Sequence, residues 1–123
     1  MFWKKDKRRE SSGMQWTPLT TMSQLETIVE ESHKHPVLIY KHSTRCGISS
    51  MALGRLEREW SHNHSSIKSY YLDLIAHRNI SNQVSASFGV AHESPQVILI
   101  KKGKPVYHAS HLSISANDLI SHQ

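Results

Sequence analysis

The chain has 123 residues, a length that suits one domain able to bury a core without covalent cross-links. Its single cysteine, Cys46, excludes an internal disulfide and favours a reducing, cytoplasmic location. The apolar runs are too short to cross a bilayer, and no apolar segment follows the basic start, so we expect neither a membrane anchor nor a secretory signal.

The formal net charge of +5 is concentrated at the start of the chain. Residues 1–10 carry five Lys or Arg and two acidic residues, whereas the other 113 residues carry ten and eight. This basic run is short, so we expect residues 1–14 to form a flexible tail and residues 15–123 to form the domain. We expect no nucleic-acid or membrane partner. The ten histidines show no metal-ligating spacing on a helix face, so no metal site is predicted.

The first half of the domain alternates strands and helices. Residues 15–19 predict a short edge strand, because Pro18 lacks an N–H donor. A helix is predicted over 20–35, where Thr21 can cap it and Gln24 can complete a capping box. The unbroken apolar run "PVLIY" then predicts a central strand that is covered on both faces. Apolar residues at helical spacing predict a second helix from about Cys46 to Trp60.

The second half of the domain ends in antiparallel strands. We predict a strand over 67–74, a helix over 79–90 that Gly89 ends, and a hairpin over 95–110 that turns at "KKGK". A short helix capped by Ser115 closes the chain. The order β-α-β-α-β-α-β-β-α indicates an α/β fold with a mixed sheet and helices on both faces.

Cys46 lies where the buried strand gives way to the second helix. Ligands bind beyond the carboxyl ends of strands in open α/β sheets, and a helix N-terminus favours a thiolate over a thiol. Lys41, His42 and Arg45 are close in sequence and could strengthen that positive potential. A lone cysteine is often a small buried hydrophobe, but the polar neighbours of Cys46 favour a reactive thiol instead.

Two further residues refine this hypothesis. Ser49 stands three residues after Cys46, where a dithiol redox motif has its second cysteine. A hydroxyl cannot form a disulfide but can hydrogen-bond a thiolate, which leaves exchange with an external sulfur as the available chemistry. Gly47 would let a peptide or a small thiol approach Cys46 closely. The alternatives are a helix-surface serine and a neutral glycine.

The segment "HSTRCGIS", between "VLIYK" and a helix, resembles the thioredoxin superfamily. It is most similar to the monothiol bacilliredoxin family of the YtxJ type. The resemblance runs from about Trp16 to the end of the chain and includes "YYLDLIAHRNISN", "HESPQVILI" and "KKGKPVYHASH". It implies a thioredoxin-like three-layer α/β/α fold with a central mixed β-sheet. It also implies a role in the homeostasis of bacillithiol, a small thiol that replaces glutathione in many low-GC Gram-positive bacteria.

The resemblance further implies a mechanism and a set of site residues. The Cys46 thiolate would take bacillithiol, the co-substrate, from bacillithiolated client proteins, in a monomer without a tightly bound cofactor. Pro95 would follow a cis peptide bond opposite Cys46 and expose the backbone of Ser94 to the bound thiol. The implied thiol-binding residues are Thr44, Arg45, Gly47, Ser49, Ser94 and Pro95, and Lys41 and His42 are further candidates for stabilising the thiolate.

Two alternatives belong to other functional classes. Members of that family more usually carry proline at the position of Gly47, so the motif here, "CGIS", is one residue from the "CGFS" of monothiol glutaredoxins. A [2Fe–2S] cluster carrier, with Cys46 and a small thiol as ligands, is therefore the first alternative. The second is a thioredoxin-like binding module in which Cys46 is inert, because fold alone does not determine function.

Overall fold

The computed structural model describes residues 14–60 and 66–123. The predicted tail therefore lies outside the described residues, apart from its last member. That residue, Met14, is 1% exposed and packs in the core, so the domain includes it, contrary to the prediction.

The described residues form one five-stranded sheet flanked by helices. The elements, in chain order, are β1 (Trp16–Pro18), α1 (Ser23–Glu31), β2 (Val37–His42), α2 (Gly47–Glu59), β3 (Lys68–Asp73), α3 (Arg78–Phe88), β4 (Gln96–Lys101), β5 (Lys104–Ser110), a 3₁₀ turn (His111–Ser113) and α4 (Ala116–Ser121). The order of elements is the one predicted.

The strands lie in the spatial order β1-β3-β2-β4-β5. The pairs β1–β3 and β2–β3 are parallel, and β2–β4 and β4–β5 are antiparallel. All six residues of β2 are buried, as expected for a central strand that is covered on both faces. The mixed sheet is thus confirmed.

Side-chain alternation along β2 divides the core into two layers. Leu38 and Tyr40 pack with residues of α2 and α4 on one face. Val37 and Ile39 pack with residues of α1 and α3 on the other face. This arrangement confirms the three-layer α/β/α architecture and decides on which side of the sheet each residue near the end of β2 can act.

The helix α1 is shorter than the predicted span of 20–35. The Thr21 hydroxyl does not cap its backbone, so that prediction is wrong. The Gln24 half of the capping box does form, because Gln24 Oε1 accepts the N–H groups of Thr20 and Thr21 at 2.7 and 3.0 Å. At the other end, the Ser32 hydroxyl donates to Val29 O at 2.6 Å.

The other predicted boundaries agree with the structure more closely. Gly89, with φ of 66°, ends α3, and the Ser115 hydroxyl accepts the N–H of Asp118 at 3.4 Å at the start of α4. Lys102 and Gly103 both have positive φ (53° and 77°), which suits the two-residue turn that joins β4 to β5.

Candidate active site

Cys46 occupies the N-cap position of α2, four residues after the end of β2. Its backbone is extended (φ −112°, ψ 118°), its N–H donates to Ser43 O at 3.2 Å, and its carbonyl accepts the N–H of Ser50 at 3.2 Å. The residue is partly exposed and not in a disulfide. The N–H groups of the first helical turn have no acceptor within the helix, so this end of α2 carries a positive potential.

The segment that precedes β4 lies at the same end of the sheet. Lys41 pairs with Gln96 in the antiparallel register of β2 and β4, so Ser94 and Pro95 adjoin the loop that leads to Cys46. The Ser94–Pro95 peptide bond is cis, as predicted. Pro95 is buried and its carbonyl accepts the N–H of His111 at 3.0 Å. The Ser94 hydroxyl is buried and has no hydrogen-bond partner in the described part of the chain.

Ser49 is wholly buried, and its hydroxyl points to the end of β2. Its oxygen accepts the N–H of Ser43 at 3.1 Å and lies 2.7 Å from Nδ1 of His42. No hydrogen bond joins it to the Cys46 sulfur among the described residues, so Ser49 does not line an exposed groove. The surface-serine alternative fails as well. The role that the structure assigns to Ser49 is to hold the loop that carries Cys46.

His42 is 6% exposed, and its burial lowers its pKa, although Asp73 and Glu57 partly oppose that shift. The imidazole is therefore neutral at neutral pH and adds no positive charge beside Cys46. The Ser49 oxygen accepts the N–H of Ser43, and its own proton can be donated to Nδ1 of the neutral His42 in the tautomer that carries its proton on Nε2. His42 thus acts on the Cys46 loop through a hydrogen bond.

Tyr40, which the sequence predicts only as the last residue of the apolar run in the central strand, completes this support. Its hydroxyl donates to Ser49 O at 3.0 Å, and its ring packs near that of His42, with 6.1 Å between centroids. Burial raises the Tyr40 pKa, so the phenol remains protonated and able to donate. Nothing in an unbroken apolar run distinguishes such a hydroxyl, because its partner is nine residues away.

Lys41 acts on the opposite face of the sheet, and its predicted place beside the thiol is wrong. Its side chain is fully buried, and its ammonium group donates to Ser81 O at 3.2 Å and Ser85 Oγ at 3.0 Å and lies 3.3 Å from Nδ1 of His92. Burial lowers its pKa to about 8. Neighbouring residues of a strand point to opposite faces, so Lys41 points to α3 while Tyr40 and His42 point to α2.

The remaining predicted residues form an open rim around the thiol. Thr44, Arg45 and Gly47 are exposed. A Cβ built on Gly47 would meet nothing within 4 Å, so the space over this neighbour of Cys46 is open. Ile48, which the sequence analysis did not single out, is 47% exposed next to this rim. A peptide or a small thiol can therefore approach the sulfur from solvent.

Residues 14–60 and 66–123 contain no group of three or more His, Cys, Asp or Glu side chains placed to hold a metal ion. Within the same residues, no helix has the length and apolar character needed to cross a membrane.

Comparison with known proteins identifies the family. Residues 17–119 match the family model described as "Monothiol bacilliredoxin BrxC". The chain belongs to the monothiol bacilliredoxin family. The predicted resemblance is thereby confirmed, and the single cysteine fits the monothiol chemistry of the family.

Solved structures agree with this assignment. One match is a protein described as an oxidoreductase with a thioredoxin fold. It has a TM-score of 0.75 and 27% identity, over 87% of this chain and 92% of that one. Thioredoxin from Malassezia sympodialis matches with a TM-score of 0.68 and 15% identity, over 89% of this chain and 87% of that one. Fasciola hepatica thioredoxin matches with a TM-score of 0.67 and 16% identity, over 86% of this chain and 98% of that one. The likeness to thioredoxins supports the thioredoxin-like fold of this chain, and its membership of the family supports a role as a thiol redox enzyme.

Proposed function

We propose that this bacilliredoxin removes bacillithiol from mixed disulfides of cytoplasmic client proteins through Cys46. The observation that carries the proposal is the contrast between two positions, three residues apart, at the start of α2. Cys46 is partly exposed at the helix N-terminus, whereas position 49 holds a buried serine that is committed to His42 and Ser43. One reactive sulfur is available, so the exchange must use a sulfur from outside the chain.

The reaction balances with one sulfur on the protein. The Cys46 thiolate attacks the bacillithiol sulfur of the client mixed disulfide, and a Cys46–bacillithiol disulfide forms. The bond between client and bacillithiol breaks, and its electron pair leaves on the client sulfur, which takes a proton from solvent. A second thiolate, such as free bacillithiol, then attacks the bacillithiol sulfur bound to Cys46, forms a small disulfide and releases the Cys46 thiolate.

The residues around Cys46 have separate tasks in this reaction. The N–H groups of α2 stabilise the attacking thiolate, and the gap over Gly47 admits the mixed disulfide. The exposed guanidinium of Arg45 attracts the carboxylates of bacillithiol's malate part, a contribution of about 0–1 kcal/mol. The backbone of Ser94, beside cis-Pro95, pairs with the peptide-like part of the bound thiol. Lys41 takes no part, because it is buried on the other face.

The test is incubation of the reduced protein with a bacillithiolated client, followed by mass measurement of both proteins. We expect the client to lose the mass of bacillithiol and the protein to gain one such mass on Cys46. A glutathionylated form of the same client is the matched control for thiol selectivity, and iron content after anaerobic purification tests the cluster-carrier alternative. Client reduction by Cys46→Ser would contradict the proposal.

A further inference from the structure

A groove outside the Cys46 site runs between α2 and the 3₁₀ turn that follows β5. Its volume is about 210 Å³. Of the five large apolar side chains that are exposed in the described residues, Met51 (66%) and Leu112 (62%) line this groove. A third, Ile48, lies one helical turn closer to Cys46. Three of these five side chains thus lie in the groove or on the helical turn between it and Cys46.

The groove follows one stripe of α2. Ile48, Met51, Arg55 and Arg58 are spaced by three, four and three residues, so they share a helix face. The stripe is apolar near Cys46 and basic farther along the helix. Gly54 also lines the groove, and a Cβ at that position would lie 3.3 Å from Nη1 of Arg58.

The charges of the groove favour an acidic occupant. Nη2 of Arg55 is anchored by a 2.7 Å hydrogen bond to Ile114 O, while its Nε lies 3.7 Å from Oε2 of Glu59. Arg58 is exposed and, within the described residues, forms no ion pair. The end of the groove farther from Cys46 therefore has two guanidinium groups and one nearby carboxylate, so its net charge is positive.

We propose that this groove binds the client polypeptide next to its modified cysteine and selects clients with acidic flanks. This inference rests on the proposed function. Arg55 and Arg58 lie nine and twelve residues beyond Cys46, hence about 13.5 and 18 Å along the helix at 1.5 Å per residue. An extended peptide advances about 3.3 Å per residue, so these distances correspond to about four to six residues of client. The favoured client has an apolar residue close to the modified cysteine and Asp or Glu about four to six positions from it.

The test uses bacillithiolated peptides of one length with a central cysteine and a leucine next to it. Pairs of Asp, Lys or Ser stand about four to six positions from the cysteine, in separate series on its N-terminal and C-terminal sides. For the wild-type protein we expect kcat/KM for the Asp peptides of one series to exceed that for the Lys peptides by about three- to tenfold, a ratio that falls at high salt.

Variants with matched controls locate the effect. Arg58→Glu should abolish or invert the Asp-to-Lys ratio, whereas Lys104→Glu, the same change in charge at the exposed start of β5, should leave it intact. Met51→Ser should raise KM for all peptides, and Met22→Ser, an equally polar change on an exposed methionine near α1, should not.

The outcomes separate this inference from the proposed function. Transfer of bacillithiol to Cys46 from every peptide, without a charge preference or with the same ratio in Arg58→Glu, would overturn the groove and leave the chemistry standing. Failure of all peptides, the Ser series included, to transfer bacillithiol to the wild-type protein would overturn the proposed function itself.

Discussion

Replacing Gly47 with proline should stabilise the protein. Gly47 is the first residue of α2, a position where proline is favoured because the N–H that it removes has no acceptor within the helix. The preceding residue, Cys46, has φ of −112° and ψ of 118°, close to the backbone region that a residue before proline prefers. A side chain on residue 47 has space, since an added Cβ meets nothing within 4 Å. The native backbone can therefore accept the ring.

The expected gain comes from the unfolded state. Gly→Ala and Xaa→Pro at compatible sites each contribute about 0.4–1 kcal/mol by reducing the freedom of the unfolded chain. Gly47→Pro should therefore raise the free energy of unfolding by about 1 kcal/mol, which for a domain of this size shifts Tm upward by about 3–6 °C. Gly47→Ala, the matched control, should give about half of that gain.

The assay is thermal unfolding followed by circular dichroism, with the rate of client reduction measured on the same samples. A Tm below that of the wild type for Gly47→Pro would refute the backbone assignment at the start of α2. A higher Tm with a much slower reaction would show that the glycine is retained for close approach of the mixed disulfide.

Two further predictions concern the residues on either side of the sheet. Ser49→Ala should lower the free energy of unfolding in urea by about 1–3 kcal/mol, because the partly buried N–H of Ser43 and Nδ1 of the buried His42 lose their partner. An unchanged stability would show that water replaces the hydroxyl. Burial lowers the pKa of Lys41 from 10.5 to about 8. Between pH 8 and 10.5 the unfolded chain therefore holds a proton on this side chain that the folded protein lacks. The free energy of unfolding should rise with pH across this range. Lys41→Met should remove that rise, and parallel stability curves for the two proteins between pH 8 and 10.5 would contradict the burial of the ammonium group.

Much of the fold follows from local patterns in the sequence. The unbroken apolar run before Cys46 identifies the central strand, Gly89 marks the end of α3, and "KKGK" gives the turn between β4 and β5. The end of α1 does not follow from such patterns. Ser32 ends that helix because its hydroxyl donates to the carbonyl of Val29 and accepts the N–H of Gly103, a residue of the distant β4–β5 turn.

The site was less predictable than the fold. Proximity in sequence placed Lys41 near the thiol, but strand alternation sends its side chain to the opposite face, among residues of α3. Spacing alone placed Ser49 near Cys46, but the direction of its hydroxyl depends on His42, which belongs to another element. The groove is built from α2 and from residues about sixty positions later, so no local pattern could reveal it.

The central claim is that one thiol suffices for the first half of the reaction and that an external thiol completes it. The most direct measurement is the amount of bacillithiolated client reduced by the protein when no free thiol is present. We predict that reduction stops at one equivalent per protein molecule, with bacillithiol held on Cys46, and resumes when bacillithiol is added. Reduction that continues beyond one equivalent without added thiol, or that persists in Cys46→Ser, would contradict the account.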